Sequence, residues 1–344
     1  MGENNCFVFT VNILHGLGEA PHFERWLLRF DTRLFNGCNF HIDFLGCRSK
    51  VARENVNKEI KLKKIADLTE RRIILEDGKN MNARTDGYEL TEPLFRAFSD
   101  WLAELCNIEK GMHVLDMGCG IGVSTFSILK MVGQKGKVIG VDISNRFISR
   151  ALLRKEEMKI PNISFILGKA EDLDFPNNAF DRVVSNFVLQ QVNDRIKAIQ
   201  EMKRVLRPGG YFGFTLPALE HYKEFREITA SVLKEDLSRP PKNCIRSNPG
   251  VLQTLLKETH IPDAQVHSKI RTFRINSVDD YDVILETRGP KKATLNRIQT
   301  NEQMEIWKSI LDEFRKRQRE KGYLPLTIHA NAIIWRKPKN KGKE

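Results

Sequence analysis

Val114-Leu115-Asp116-Met117-Gly118-Cys119-Gly120-Ile121-Gly122 decides the fold. An apolar run carries an acid at its third position and passes into three alternating glycines; Val123 to Val132 then reads as a helix. Glycine lets the backbone turn sharply and lets a ligand approach the main chain with no Cβ in the way. The first turn of a following helix offers unpaired N–H groups and partial positive charge. Together these predict a cradle for an anionic group such as a carboxylate or a phosphate. The third glycine comes one residue too early for the G-x-G-x-x-G of dinucleotide folds. A tight strand–helix turn with no ligand is the bland alternative, and three glycines in five residues argue against it.

Outward from this stretch, apolar runs alternate with helical patterns. Strands are predicted at His113–Met117, Lys137–Asp142, Ile163–Leu167, Phe180–Ser185 and Tyr211–Leu216, and helices at Leu90–Leu105, Val123–Val132, Asn145–Met158 and Asp194–Leu206. Thr91 reads as the N-cap of the first helix, with Glu92-Pro93 in its first turn. Strand–helix alternation implies right-handed βαβ units and an α/β fold with a doubly wound, mostly parallel sheet. Residues 218–260 read as helical with a polar break at 238–243; two strands, at 264–274 and 326–335, follow around a charged helix at 301–319. Lys137-Val138-Ile139-Gly140-Val141-Asp142 ends in an acid twenty residues after Gly122. A carboxylate there can accept both hydroxyls of a ribose; a helix cap or plain loop acid is the alternative.

The 344 residues are 41% hydrophobic and 29% charged, enough to bury a core and to exclude whole-chain disorder. Lys and Arg number 56 against 44 Asp and Glu, a net charge of +12. No stretch approaches the ~20 apolar residues of a membrane span. Six scattered cysteines with no Cys-x-x-Cys fit a reducing compartment, so a cytoplasmic protein is expected. Residues 1–79 read as a mainly helical N-terminal extension with an amphipathic charged helix near 50–72 and a turn at 77–80. Residues 80–338 form the main domain and 339–344 a basic tail. Cys38-x-x-His41 with Cys47, His22 and Cys6 raises zinc as an alternative, but no second paired motif supports it, and no metal is expected.

Four further segments add up. Asp116-x-Gly118-x-Gly120-x-Gly122 resembles motif I of the class I S-adenosylmethionine-dependent methyltransferases. Gly168-Lys169-Ala170-Glu171-Asp172-Leu173-Asp174-Phe175-Pro176 resembles the G-D-A-E-D-L-P-F-P of the ubiquinone/menaquinone-biosynthesis type, with Lys169 in place of an acid. Phe180-Asp181-Arg182-Val183-Val184-Ser185 is similar to that group's F-D-x-V-x-S, with Gln190-Gln191 where one or two His often stand. Leu206-Arg207-Pro208-Gly209-Gly210 and Ala332–Pro338 resemble its turn before the fifth strand and its final strand. The resemblance covers residues 80–338. It implies a Rossmann-like seven-stranded sheet with helices on both faces and S-adenosyl-L-methionine as cofactor. The implied cofactor set is Asp116, Gly118, Cys119, Gly120, Gly122, Asp142, Ile143, Ala170, Glu171, Ser185 and Asn186, with Tyr88 as a cap. Lys169 cannot accept the adenine amino hydrogen bond that an acid would.

The chemistry so implied is in-line methyl transfer, which needs positioning and exclusion of water more than a particular side chain. No catalytic residue is fixed by the sequence; His221, Tyr222 and Tyr88 are candidates for a base or a substrate contact. About 80–90 and 218–260 are the segments expected to cover the acceptor, with Arg246 a candidate for an acidic substrate. Glu171 and Asp172 have the plainer reading of a helix start. No Asn/Asp-Pro-Pro-Tyr/Phe follows the fourth strand, which favours a small organic acceptor over a base or glutamine amide. An RNA methyltransferase is the alternative, since residues 313–344 hold ten Lys or Arg against three Glu. A non-catalytic methyltransferase-like binding protein is the third reading. Residues 1–79 are left as a cover for the cofactor end or a homodimer surface.

Overall fold

The computed structural model describes residues 6–12, 25–31, 43–45, 86–235 and 249–339. The chain divides into two compact units, Met1–Lys64 and Ile65–Glu344. In the first, β1 (Cys6–Asn12), β2 (Arg25–Asp31) and β3 (Asp43–Leu45) form an antiparallel sheet in that order. This corrects the mainly helical extension expected over 1–79: Cys6-Phe-Val-Phe-Thr-Val-Asn is dense in aromatic and β-branched residues, which suit a pleated surface. The charged helix at 50–72, the turn at 77–80 and the zinc alternative at His22, Cys38, His41 and Cys47 lie outside the described residues.

The second unit is built on α1 (Asp86–Leu105), β4 (His113–Met117), α2 (Val123–Val132), β5 (Lys137–Asp142), α3 (Asn145–Glu157), β6 (Ile163–Leu167), β7 (Phe180–Asn186), α4 (Arg195–Val205) and β8 (Leu206–Pro217). Then come α5 (Lys223–Leu233), α6 (Pro249–Glu258), β9 (Gln265–Ile275), α7 (Val278–Arg288), α8 (Pro290–Leu295), α9 (Gln303–Lys321) and β10 (Leu324–Arg336). Seven strands form one sheet in the order β6-β5-β4-β7-β8-β10-β9. The first five are parallel; β10 runs antiparallel to both neighbours. In β4, β5 and β7, four consecutive residues are buried, as strands covered on both faces require. Chain order reverses between β4 and β7, and a crevice for ligands opens beyond their carboxyl ends.

Two differences from the sequence reading matter. Helix α1 starts at Asp86 rather than Leu90, so Thr91 is inside the helix and is no cap. Its hydroxyl donates to the Tyr88 carbonyl at 2.9 Å and accepts from Arg288. Between β9 and β10 the chain inserts α7 and α8 besides the expected charged helix. Gly289 (φ 94°) ends α7 and Pro290 opens α8, a stop-and-start pair that marks the break. The polar break at 238–243 and Arg246 lie outside the described residues.

Helix α1 serves both sides of the core. Its Leu102 and Ala103, with Cys106 just past its end, pack with Val114, Val138, Phe165 and the apolar faces of α2 and α3. Its Leu94, Phe95 and Phe98 pack with α5, α7, α9 and β10. Phe165 is fully buried, stacks near Phe126 and lies against both Gly122 and Gly140. Phe165→Ala is expected to lower stability by about 3–5 kcal/mol, read as a lower urea midpoint at unchanged slope.

Candidate active site

The glycine loop is held shut from β5. Gly118 and Cys119 both donate their N–H to the Val141 carbonyl, at 2.7 and 3.0 Å. Gly120 donates to Asp142 Oδ2 at 2.9 Å, and Gly122 to the Cys119 carbonyl at 2.9 Å. All three glycines have positive φ, 76°, 55° and 89°. A Cβ on Gly118 would lie 2.4 Å from the Val188 side chain, and one on Gly122 2.7 Å from Phe126. A Cβ on Gly120 would meet nothing within 4 Å. Gly118 and Gly122 are glycines for packing and for φ; Gly120 faces clear space, where a ligand can touch the main chain. The four loop N–H groups named here are committed inside the protein. The anion cradle expected of the loop is therefore a cradle of shape more than of charge.

Asp142 is the pin. Its Oδ2 takes the Gly120 N–H and its Oδ1 takes the Ser144 N–H at 2.9 Å. Burial raises its pKa, and those backbone N–H donors oppose the rise. Ser144 caps α3 by accepting from Phe147 N. Beyond the pin, Ile143 is 67% exposed, and Leu167, paired with Asp142 in the sheet, is 41% exposed. Two exposed apolar side chains thus stand at adjacent strand ends, and Ala170 is partly buried. Glu171 and Asp172 start no helix: Lys169 and Asp172 close a tight turn instead, with Lys169 exposed.

Asp116 is fully buried at the end of β4. Thr125 Oγ1 donates to its Oδ2 at 2.6 Å, fastening β4 to the first turn of α2. Burial pushes its carboxyl up to about 7; the Thr125 hydrogen bond opposes this and Asp142 adds to it. Its Oδ1 has no partner, and neither do Ser185 Oγ in β7 and Gln190 Oε1 just beyond. Buried acceptors without donors are costly. Three of them at the ends of adjacent strands fit a ligand that brings donors, such as the ammonium of a bound amino acid. Asn186 is spent inside the protein: it donates to Ser99 Oγ at 2.8 Å and accepts from Thr215 Oγ1 at 2.7 Å. The Cys119 side chain is buried against Gly140, and burial holds its thiol well above the ordinary range, which disfavours the thiolate that nucleophilic attack needs.

Tyr88 sits on α1 with its ring 4.5 Å from Phe147, edge to face, and 4.8 Å from the Arg288 guanidinium. Burial raises its pKa, the Arg288 guanidinium opposes the rise and Asp142 adds to it. His221 and Tyr222 are buried, not on the surface. His221 Nδ1 lies 3.0 Å from the His329 carbonyl, and its ring stands 5.4 Å from Phe187 and 4.3 Å from Tyr222. Two residues carry weight that no motif signals. Arg154 of α3 donates to the Ile121 carbonyl at 3.0 Å and to Glu92 of α1 at 2.9 Å, tying the loop to both helices. Arg288 is the other.

A family model described as a methyltransferase domain matches residues 108–313. The chain belongs to that family. It is 38% identical over 151 residues to a demethylmenaquinone methyltransferase of Oceanobacillus iheyensis, covering 36% of this chain and 63% of that one. It is 35% identical over 134 residues to the ubiquinone/menaquinone biosynthesis C-methyltransferase UbiE of Coxiella burnetii, covering 38% and 54%. The chain thus spans less than two thirds of the length of these curated relatives. A solved SAM-dependent methyltransferase from Aquifex aeolicus is 16% identical, with 73% of this chain and 99% of that one covered and a TM-score of 0.41.

As a methyltransferase-fold protein, the chain keeps an unpaired carboxylate in its core at a cost that depends on pH. The folded pKa of Asp116 is raised, so the folded state holds the proton more tightly than the unfolded one. Stability is then fully present below the ordinary carboxylate pKa and is lost as pH rises towards about 7. Urea titrations of wild type and Asp116→Asn between pH 4 and 8 should show the wild type losing ground to the variant up to about pH 7. A constant difference across that range would refute the assignment.

Proposed function

We propose that the protein transfers a methyl group from S-adenosyl-L-methionine to a small organic acceptor. One observation carries this: Asp142 is clamped between the N–H groups of Gly120 and Ser144 at a strand end, beside a glycine that opens onto clear space. A carboxylate so fixed presents its remaining lone pairs to a ribose diol. Ile143 and Leu167 would take the adenine faces, and the unpartnered Asp116, Ser185 and Gln190 oxygens would take the amino-acid end. S-adenosylmethionine supplies a sulfonium methyl that leaves by in-line displacement. The chain's own task is to orient the acceptor and keep water out.

In this reading His221 would hold the acceptor's proton. The His329 carbonyl can only accept, so Nδ1 carries the hydrogen and Nε2 the lone pair. Phe187 and Tyr222 flank the ring. Tyr88 would close over the cofactor end. The assignment of 1–79 as an extension, 80–338 as the catalytic domain with 80–90 and 218–260 as cover, and 339–344 as a tail belongs to this reading. So does cytoplasmic placement, which rests on the scattered cysteines. Among the described residues no helix is long and apolar enough to cross a membrane.

Calorimetric titration with S-adenosylhomocysteine tests the reading. Wild type should bind at micromolar levels, and Asp142→Ala should weaken binding by about 100-fold, the worth of two charge-assisted hydrogen bonds. An unchanged affinity in a folded variant would overturn the cofactor site. Methyl transfer to RNA in place of small acids and phenols would overturn the acceptor class.

A further inference from the structure

Arg288 closes α7 on the flank of α1. Gly87 on α1 makes the approach: a Cβ there would lie 2.0 Å from Thr287 Oγ1, so the two helices touch at that point. This lays the Arg288 guanidinium across two aromatic faces of α1, 3.8 Å from the Phe95 centroid and 4.8 Å from Tyr88. Its Nε and one terminal nitrogen donate to Thr91 Oγ1, at 3.0 and 2.5 Å. The Thr91 hydrogen is already given to the Tyr88 carbonyl, so that hydroxyl is aimed to accept. A guanidinium has five N–H donors, and one hydroxyl takes two of them. Among the described residues no acidic side chain pairs with it, although Arg288 is partly buried.

A partly desolvated cation with no anion costs free energy. Stacking on Phe95 and Tyr88 recovers some of this and holds the planar group rigid, with an edge left for a bidentate acceptor. The place is informative. On one side Tyr88 leads to Phe147 and the Asp142 corner. On the other, Phe95 packs on Phe187 at 5.2 Å, and Phe187 on His221 at 5.4 Å. Arg288 therefore stands between the cofactor end and the group assigned to hold the acceptor's proton.

We propose that Arg288 receives the carboxylate of the methyl acceptor, whose body is aromatic or apolar and lies along Phe95 and Phe187. The protein's substrates are then small organic acids. This rests on the methyl-transfer reading of the same crevice. The stacking partner of Arg288, Phe95, packs on Phe187, which packs on His221, and this sets Arg288 on the acceptor's side. A cavity of about 350 Å³, lined from α5, α9, β9 and β10, holds none of these residues. Its charged rim pairs with itself, Lys223 with Glu220 and Arg317 with Glu227.

The test uses the full chain saturated with S-adenosylhomocysteine, titrated with benzoate, 4-hydroxybenzoate, salicylate and 2-naphthoate and with the carboxamide of each. At least one acid should bind wild type tenfold or more tightly than its amide. Arg288→Gln should abolish that gap and leave S-adenosylhomocysteine affinity unchanged, which also shows the variant to be folded. Arg288→Lys, which keeps the charge but not the plane, should retain part of the gap. If no acid outbinds its amide, the proposal is wrong. It is equally wrong if Arg288→Gln costs S-adenosylhomocysteine the same factor, because the guanidinium then serves the cofactor. Failure of wild type to bind S-adenosylhomocysteine at all is the separate failure of the methyl-transfer reading, and this proposal falls with it.

Discussion

The Asp142 carboxylate between the Gly120 and Ser144 N–H groups is the constraint on which the site depends. A loop with three left-handed glycines has no repetitive structure to hold it, and each glycine loses more chain entropy on ordering than another residue would. The Val141 carbonyl and the Asp142 side chain meet that cost from the neighbouring strand. The tie is possible because β4 and β5 are parallel and in register, with Met117 opposite Val141. Parallel pairing brings both carboxyl ends to the same edge, so a loop leaving one strand can be pinned by the other. Asp142 also sets the start of α3 through Ser144, so one side chain aligns a loop and a helix.

What covers that edge comes from three separate parts of the sequence. Helix α1 carries Tyr88 and Phe95, the turn before α5 carries His221 and Tyr222, and α7 carries Arg288. They share one apolar cluster, with Phe98, Phe225, Tyr281 and Trp307 at its centre. Packing of that kind is close and resists gradual deformation. The polar groups facing the crevice are therefore held by apolar contacts behind them. Arg154 works similarly at the loop's other flank, bonded to Ile121 and Glu92 and lying over Phe126.

The parallel half of the sheet was legible because its strands are short continuous apolar runs bounded by glycine, proline or an acid. His113–Met117, Lys137–Asp142 and Ile163–Leu167 are found where the pattern puts them. The pin was legible too, from an acid at a strand end after the glycines. Less was legible where a residue's neighbours come from distant segments. Thr91 has the composition of a cap but serves Arg288, almost two hundred residues away. Asn186 follows the fourth strand as a ligand contact would, yet Ser99 and Thr215 consume its amide. His221 is a candidate by residue type alone; its burial and its bond to the His329 carbonyl on β10 come from a segment over a hundred residues away. The N-terminal strands are hard to read because their aromatic-rich segments have no clean period and adjoin a charged stretch of helical spacing.

The unpartnered groups in the crevice have opposite signs and different places. Asp116 Oδ1 and Gln190 Oε1 are acceptors without donors, and the Ser185 hydroxyl lacks a partner, at or just past the ends of β4 and β7. Arg288 is a donor with N–H groups to spare on the insertion between β9 and β10. Nothing in folding requires either set, since apolar residues of similar size would pack without the desolvation cost. The two sets do not cancel each other either, because Asp116 is fastened to Thr125 and Arg288 to Thr91. Orientation is thus spent on holding them apart. A preorganised site does this when the compensating groups arrive on ligands, and it gives such ligands binding energy that water could not match. The separation of acceptors and donor along one crevice then reads as room for two ligands, one bringing donors to the strand ends and one bringing an anion to α7.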